Sequence, residues 1–109
     1  MHTLLFPAPL RRATVLVAAL LCSTAFAQTA QELDTRALAA TCANCHGTDG
    51  YAVAGSGSAR LAGQSSAFIV EQMQAFRSGS RPATVMHQLA KGFSDAQIRA
   101  LAAYFAAQR

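Results

Sequence analysis

Cys42-Ala43-Asn44-Cys45-His46 is the stretch on which the reading of this chain turns. It places two thiols three residues apart and an imidazole directly after the second. On a helical turn such thiols can add across the two vinyl groups of one haem, and the residue that follows is then held under the iron, where a ring nitrogen can bind it. Two other chemistries use the same pair of thiols. A thioredoxin-like dithiol needs a strand before the motif and a parallel sheet around it, and the flanking sequence offers neither. A zinc site would have to draw on Cys42, Cys45, His46 and His87 at a spacing unlike that of structural zinc sites.

Outward from the motif the apolar pattern is helical, and no segment alternates as a half-buried strand does. Leu33, Ala37 and Leu38 fall on one side of a helix expected from about Leu33 to Ala43, with Gly47 beyond its end, so that Cys42 and Cys45 ride on its last turn. Ile69, Gln72, Met73 and Phe76 form one stripe of a second helix, from about Ser66 to Arg77, which Gly79 should stop. A third begins at Ser94, where the hydroxyl can cap the helix while Gln97 reaches back, and Ile98, Leu101, Ala102 and Phe105 repeat at helical spacing. Between the first two helices, residues 47–63 are rich in Gly, Ser and Ala, as suits either a flexible loop or a loop passing close to a flat group. Between the last two, Pro82 forbids a continuous helix across 80–93. Internal repeats are absent. The outline is all-α, with long loops that need something to wrap around.

The first 27 residues read as an export signal. Arg11 and Arg12 supply the positive start, Ala13 to Leu21 the apolar run, and Ala25-Phe26-Ala27 the small residues a signal peptidase requires, so the folded chain is expected to begin at Gln28. The apolar run falls short of the ~20 residues of a membrane-spanning helix, and nothing downstream repeats it. Cys22 leaves with the signal, and a lipoprotein signal is disfavoured because Leu20 and Leu21 precede it. The 28–109 domain of 82 residues is too small to be comfortable on its own core, and two cysteines cannot build a disulfide framework. A prosthetic group is the remaining support. Loss of Arg11 and Arg12 takes the formal charge from +4 to +2, too little to suggest nucleic-acid binding. The expected compartment is the periplasm.

An iron held by His46 has a second axial position, for which Met73, Met86 and His87 compete. Met73 lies on the apolar stripe of the second helix, where a methionine usually fills core. Met86 sits in the proline-interrupted loop, where a thioether can be presented without distorting a helix, and Met/His ligation is the arrangement of electron-carrying cytochromes. Met86 is therefore favoured, and an open sixth position would instead suit a haem-based sensor or a ligand-binding protein. Arg77, Arg81 and Lys91 are candidates for a charged rim that docks a redox partner, and equally for a plain solvated face.

With these residues in hand, the chain resembles the class I cytochromes c, and within them the group containing cytochromes c4 and c553. The likeness is carried by the motif at 42–46, by Leu61-Ala62-Gly63-Gln64, by Phe76-Arg77-Ser78-Gly79-Ser80-Arg81, and by Met86 followed by Gly92-Phe93-Ser94-Asp95 through Leu101-Ala102-Ala103-Tyr104-Phe105. It implies a class I fold, with three or more helices wrapped around one covalent haem c. First and last helices should cross at Tyr104 or Phe105, and Met86 should be the sixth ligand. Residues 81–86, 90–93 and 104–108 are similar, more narrowly, to the cytochrome subunit of flavocytochrome c sulfide dehydrogenase. That likeness implies a flavoprotein partner that oxidises sulfide, the bond chemistry belonging to the partner. The alternative is a free-standing soluble carrier that moves electrons between respiratory complexes and a terminal oxidase or reductase. The group usually has a proline two residues before the Leu of Leu-Ala-Gly-Gln, in the loop whose carbonyl steadies the histidine; here that position is Ala59.

Overall fold

A computed structural model describes residues 30–109, so the expected export segment 1–27 and the chain start at Gln28 lie outside the described residues. Residues 30–33 are helical and exposed, and 34–109 form the folded unit. Among the described residues there are helices and turns and no strand. The helices are α1 (30–40), α2 (Ala43–His46), α3 (Ser66–Ser78), α4 (Met86–Leu89) and α5 (Asp95–Ala107), with 3₁₀ turns at Thr48–Gly50 and Ala90–Gly92.

The two long helices end where their cap residues dictate. The Ser65 hydroxyl accepts the Phe68 N–H at 3.2 Å to open α3, and Gly79, in the left-handed conformation, returns its N–H to the Phe76 carbonyl at the far end. Ser94 opens α5 as expected. Its hydroxyl accepts the Gln97 N–H at 3.2 Å while Gln97 Oε1 accepts the Ser94 N–H at 2.8 Å, which satisfies two N–H groups that a helix start leaves without partners.

Two boundaries differ from the sequence reading. The opening helix stops at residue 40 instead of running to Ala43. Thr41 donates its hydroxyl to the Leu38 carbonyl at 2.7 Å, occupying the acceptor that an α-helix would offer to Cys42, and the N–H groups of Thr41 and Cys42 reach back only three residues, to Leu38 and Ala39. A new turn, α2, therefore carries the motif. In the 80–93 segment the chain resumes as α4 at Met86, where Gln88 and Leu89 both donate to the Val85 carbonyl. α3 has already ended at Gly79, and a separate short helix starts four residues after Pro82.

The core gathers on one side of α5. Leu101, Ala102 and Phe105 are buried there with Ile69 of α3 and Ala39 of α1, and Leu38, Met73, Phe93 and Tyr104 close around them. First and last helices thus meet at Phe105, as the resemblance implies, and Met73 packs against the core, as its place on the α3 stripe predicts. Arg77 clasps the end of α3 to the start of α5, donating to Asp95 Oδ1 at 2.6 Å and to the Phe93 carbonyl at 2.5 Å. The Arg77 bond to Asp95, with a further one from Gln74 and the Arg77 charge, holds the Asp95 carboxyl below the usual carboxylate range.

Gly50 is where loop and core come closest. Its carbonyl accepts the N–H groups of both Leu61 and Ala62, at 2.9 and 3.1 Å. A Cβ there would lie 2.9 Å from the Ala62 nitrogen, from the Leu61 Cβ and from the Phe105 ring. The backbone at Gly50 also has φ +81, as it does at Gly79, but beside Gly79 a Cβ would meet nothing. Gly79→Ala is therefore expected to cost only the left-handed conformation, about 1 kcal/mol. Gly50→Ala should cost a further ~1–3 kcal/mol for overpacking. Urea unfolding of the two variants side by side measures the difference.

Candidate functional site

The motif occupies one closed turn. The Cys42 carbonyl accepts the N–H groups of Cys45 (3.3 Å) and His46 (2.9 Å), and Gly47 closes onto Ala43 at 2.9 Å. Both thiols are free, Cys45 exposed and Cys42 half-buried. Burial pushes the Cys42 thiol up, and the neighbouring Thr41 hydroxyl, 4.0 Å from Sγ, pulls it partly back.

His46 is oriented by the loop. Its Nδ1 stands 2.7 Å from the Ala59 carbonyl oxygen. A carbonyl can only accept, so Nδ1 carries a proton, and Nε2 is the ring nitrogen left to bind a metal. The bond at Ala59 survives without the proline that the resemblance places there. The loop that presents this carbonyl is pinned from several sides. Leu61 and Ala62 are tied to Gly50, and the Gly63 N–H donates to the Phe105 carbonyl at 3.0 Å. Arg60 Nε donates to the Ala62 carbonyl at 3.1 Å, and its guanidinium lies over the Tyr51 ring, 4.7 Å from the centroid. Of the two characters that its Gly, Ser and Ala content allows, the part of the loop that faces His46 has the fastened one.

Met86 is the first residue of α4, half-buried, with α4 packed on α3. His87, beside it, has a buried Nδ1 with no hydrogen-bond partner. Among the described residues no group of three or more His, Cys, Asp or Glu could hold a metal ion. Two thiols on one turn and one imidazole with Nε2 unengaged fit covalent attachment of a flat group that brings its own metal. The apolar surface fits the same conclusion. Val53, Phe68, Val85 and Leu89 are 45–72% exposed, while Ile98 is the one large side chain fully buried among the described residues. Bare side chains of that size are what a small domain leaves when an apolar group completes its core.

Three residues that the sequence did not single out as donors or acceptors also shape the site. Tyr104 donates its hydroxyl to Asp49 Oδ1 at 2.5 Å, Arg36 of α1 stands beside the same hydroxyl, and Asp49 has φ +53, the only positive value at a non-glycine among the described residues. Asp49 and Tyr104 are far apart in sequence, so no local pattern announces the pair.

The family model described as cytochrome c oxidase, cbb3-type, subunit III matches residues 31–105. Cytochrome c-554(548) of Halomonas halodenitrificans is 39% identical over 71 residues, which cover 62% of this chain and 84% of that protein. The cytochrome subunit of sulfide dehydrogenase of Chlorobaculum tepidum is 40% identical over 68 residues, 62% of this chain and 60% of its own length. The thiosulfate dehydrogenase electron acceptor of Thiomonas intermedia is 40% identical over 67 residues, 62% of this chain and 31% of that protein. A solved structure of Acidithiobacillus ferrooxidans cytochrome c4 superposes with a TM-score of 0.56 at 40% identity, covering 60% of this chain and 37% of that one. The chain spans about a quarter to a third of the length of the first curated relatives it matches.

The hydrogen bond to His46 needs only the carbonyl of residue 59, so Ala59→Pro is expected to keep it and to stiffen the loop. Stability should rise by about 0.4–1 kcal/mol, read from the urea midpoint, and the His46 ring N–H should exchange more slowly with solvent in NMR spectra.

Proposed function

This chain belongs to the c-type cytochrome family, and on that footing we propose that Cys42 and Cys45 attach one haem c and that His46 and Met86 are its axial ligands. Family membership implies covalently bound haem c and an electron-transfer role. Bound haem c supplies a one-electron iron couple, so no substrate bond is made or broken by this chain. The observation that carries the assignment is the His46 geometry, with Nδ1 engaged by Ala59 and Nε2 left free one residue after the second thiol.

Each residue has a separate task in this reading. Cys42 and Cys45 would hold the group from one turn, closed by the bonds of the Cys42 carbonyl to the Cys45 and His46 N–H groups. Covalent attachment prevents loss of the group and supplies ordering that a small core lacks. The imidazole of His46 is oriented by its Nδ1 hydrogen bond to the Ala59 carbonyl, which leaves Nε2 as the nitrogen that would bind iron. Met86 contributes a soft thioether from a short helix on a separate segment, and His/Met ligation raises the reduction potential. The exposed apolar side chains of Val53, Phe68, Val85 and Leu89 would be available to pack on an apolar group and exclude water from it.

The reading extends to location and partner. Residues 1–27 direct export, and the protein works in the periplasm, where relatives of this family serve. It accepts electrons from a flavoprotein that oxidises sulfide. Support comes from the similarity of 81–86, 90–93 and 104–108 and from the sulfide dehydrogenase subunit among the relatives. A second reading, a carrier for another sulfur-compound dehydrogenase, is favoured by the relatives named as electron acceptors of thiosulfate dehydrogenase.

Two experiments check these assignments. Met86→Ala should abolish the methionine-to-iron absorption band near the red end of the spectrum and lower the potential, whereas an unchanged spectrum would remove Met86 from the ligand set. Expressed with a sulfide-oxidising flavoprotein, the cytochrome should co-elute with it and become reduced when sulfide is added. Separate elution with the haem left oxidised would discard the sulfide reading.

A further inference from the structure

We infer that Tyr104 is a positioning residue for the axial imidazole: its hydrogen bond to Asp49 holds the turn that sets the His46–Ala59 bond and so tunes the reduction potential. The inference rests on the reading of His46 as an iron ligand.

The links run without a gap. Tyr104 OH donates to Asp49 Oδ1 at 2.5 Å. Asp49 is the middle residue of the Thr48–Gly50 turn and has φ +53, ψ +22, a conformation that costs a non-glycine residue about 1–2 kcal/mol. A side-chain bond from a fixed partner is what keeps such a residue there. Gly50 follows, and its carbonyl takes the N–H groups of Leu61 and Ala62. Two residues before Leu61, Ala59 offers its carbonyl to His46 Nδ1 at 2.7 Å.

The donor is itself well held. Tyr104 packs edge-on against Phe105, with ring centroids 5.3 Å apart, and Phe105 is 2% exposed at the meeting of α1 and α5. Acceptance by Asp49, with burial and the Asp49 charge, pushes the hydroxyl above its usual pKa, so at neutral pH it remains a donor. The last helix of the domain thereby reaches the turn that leaves the motif.

The direction of the effect follows from the chemistry of the imidazole. A firm Nδ1–H bond to a carbonyl raises the basicity of Nε2. A more basic ligand favours the more highly charged iron and lowers the potential. Loosening the turn weakens the bond, so the potential should rise.

The test uses the haem-loaded protein and three variants. Tyr104→Phe keeps the ring and removes the hydroxyl. It is expected to raise the potential and to speed solvent exchange of the His46 ring N–H about fivefold, the factor that one neutral hydrogen bond's net contribution converts to. A Tyr104→Phe protein that folds and leaves both quantities at their unaltered values would overturn the inference. If that variant does not fold, Asp49→Asn and Asp49→Ala decide. Both remove the same charge, but Asn keeps an acceptor and tolerates the left-handed conformation. The Ala variant should have the higher potential and the faster exchange, and identical values for the two would overturn the inference. Failure of the ligand reading shows differently, as His46 ring resonances without a paramagnetic shift in the unaltered protein.

Discussion

The carbonyl of Gly50 is the point on which the arrangement of this domain depends. It accepts two N–H groups from the strand-less return of the loop, at Leu61 and Ala62, and it can do so only because nothing but hydrogen stands on its α-carbon. The Phe105 ring fills the space a side chain would need. One glycine therefore joins the exit of the C-x-x-C-H turn, the return of the loop and the buried end of α5. The Ala59 carbonyl meets His46 as a consequence of that junction. An imidazole fixed in this way is a property of the folded core and not of the motif alone.

The core that supplies this rigidity is small. Alanines at 39, 62, 90 and 102 make up half of the eight buried apolar residues described, and alanine contributes little transfer free energy compared with a leucine or phenylalanine. Larger side chains stand at the edge or in the open: Phe68, Val53, Val85 and Leu89 are exposed. Stability on this pattern is divided between specific local devices and the group the chain binds. The devices are visible in the caps at Ser65 and Ser94 and in the Arg77 clasp on Asp95 and Phe93. For Asp95, a carboxyl held below its usual range stabilises the fold above the pKa of the unfolded carboxyl and loses that contribution as pH falls through the lowered value. The clasp is exposed on the Asp95 side, so its share is modest and salt-dependent.

What was legible in the sequence was whatever depends on residues close together. Ser94 and Gln97 form their reciprocal cap because both partners lie within one turn, and Gly79 ends α3 because its left-handed conformation disfavours other residues. The break after residue 40 was hidden, since Ala, Leu, Thr and Cys around it are all compatible with helix and the deciding contact is a hydroxyl turning back on its own backbone. The recovery of helix at Met86 was hidden too, because a proline marks only where a helix cannot continue. At the site, the thiols and His46 were readable from their spacing. The acceptor for His46 is a backbone carbonyl with no side-chain signature, and it was reachable only through the resemblance that singled out position 59. The Tyr104–Asp49 pair lay beyond both routes, because its partners meet only after the loop has closed.

The charged residues show how far folding alters what a sequence offers to a partner. Arg77, Arg81 and Lys91 read together as a basic rim, yet they end in three different states. Arg77 spends its two terminal nitrogens on Asp95 and Phe93, so its charge is largely answered inside the chain. Arg81 keeps its charge but lies over the Phe76 ring, 4.6 Å from the centroid, and bonds to Gln72, which fixes its position. Lys91, in the turn after α4, is exposed. Steering by charge depends on groups whose field is not cancelled nearby. Of the three, Arg81 and Lys91 keep charges with no ion pair among the described residues, while Arg77 joins the end of α3 to the start of α5.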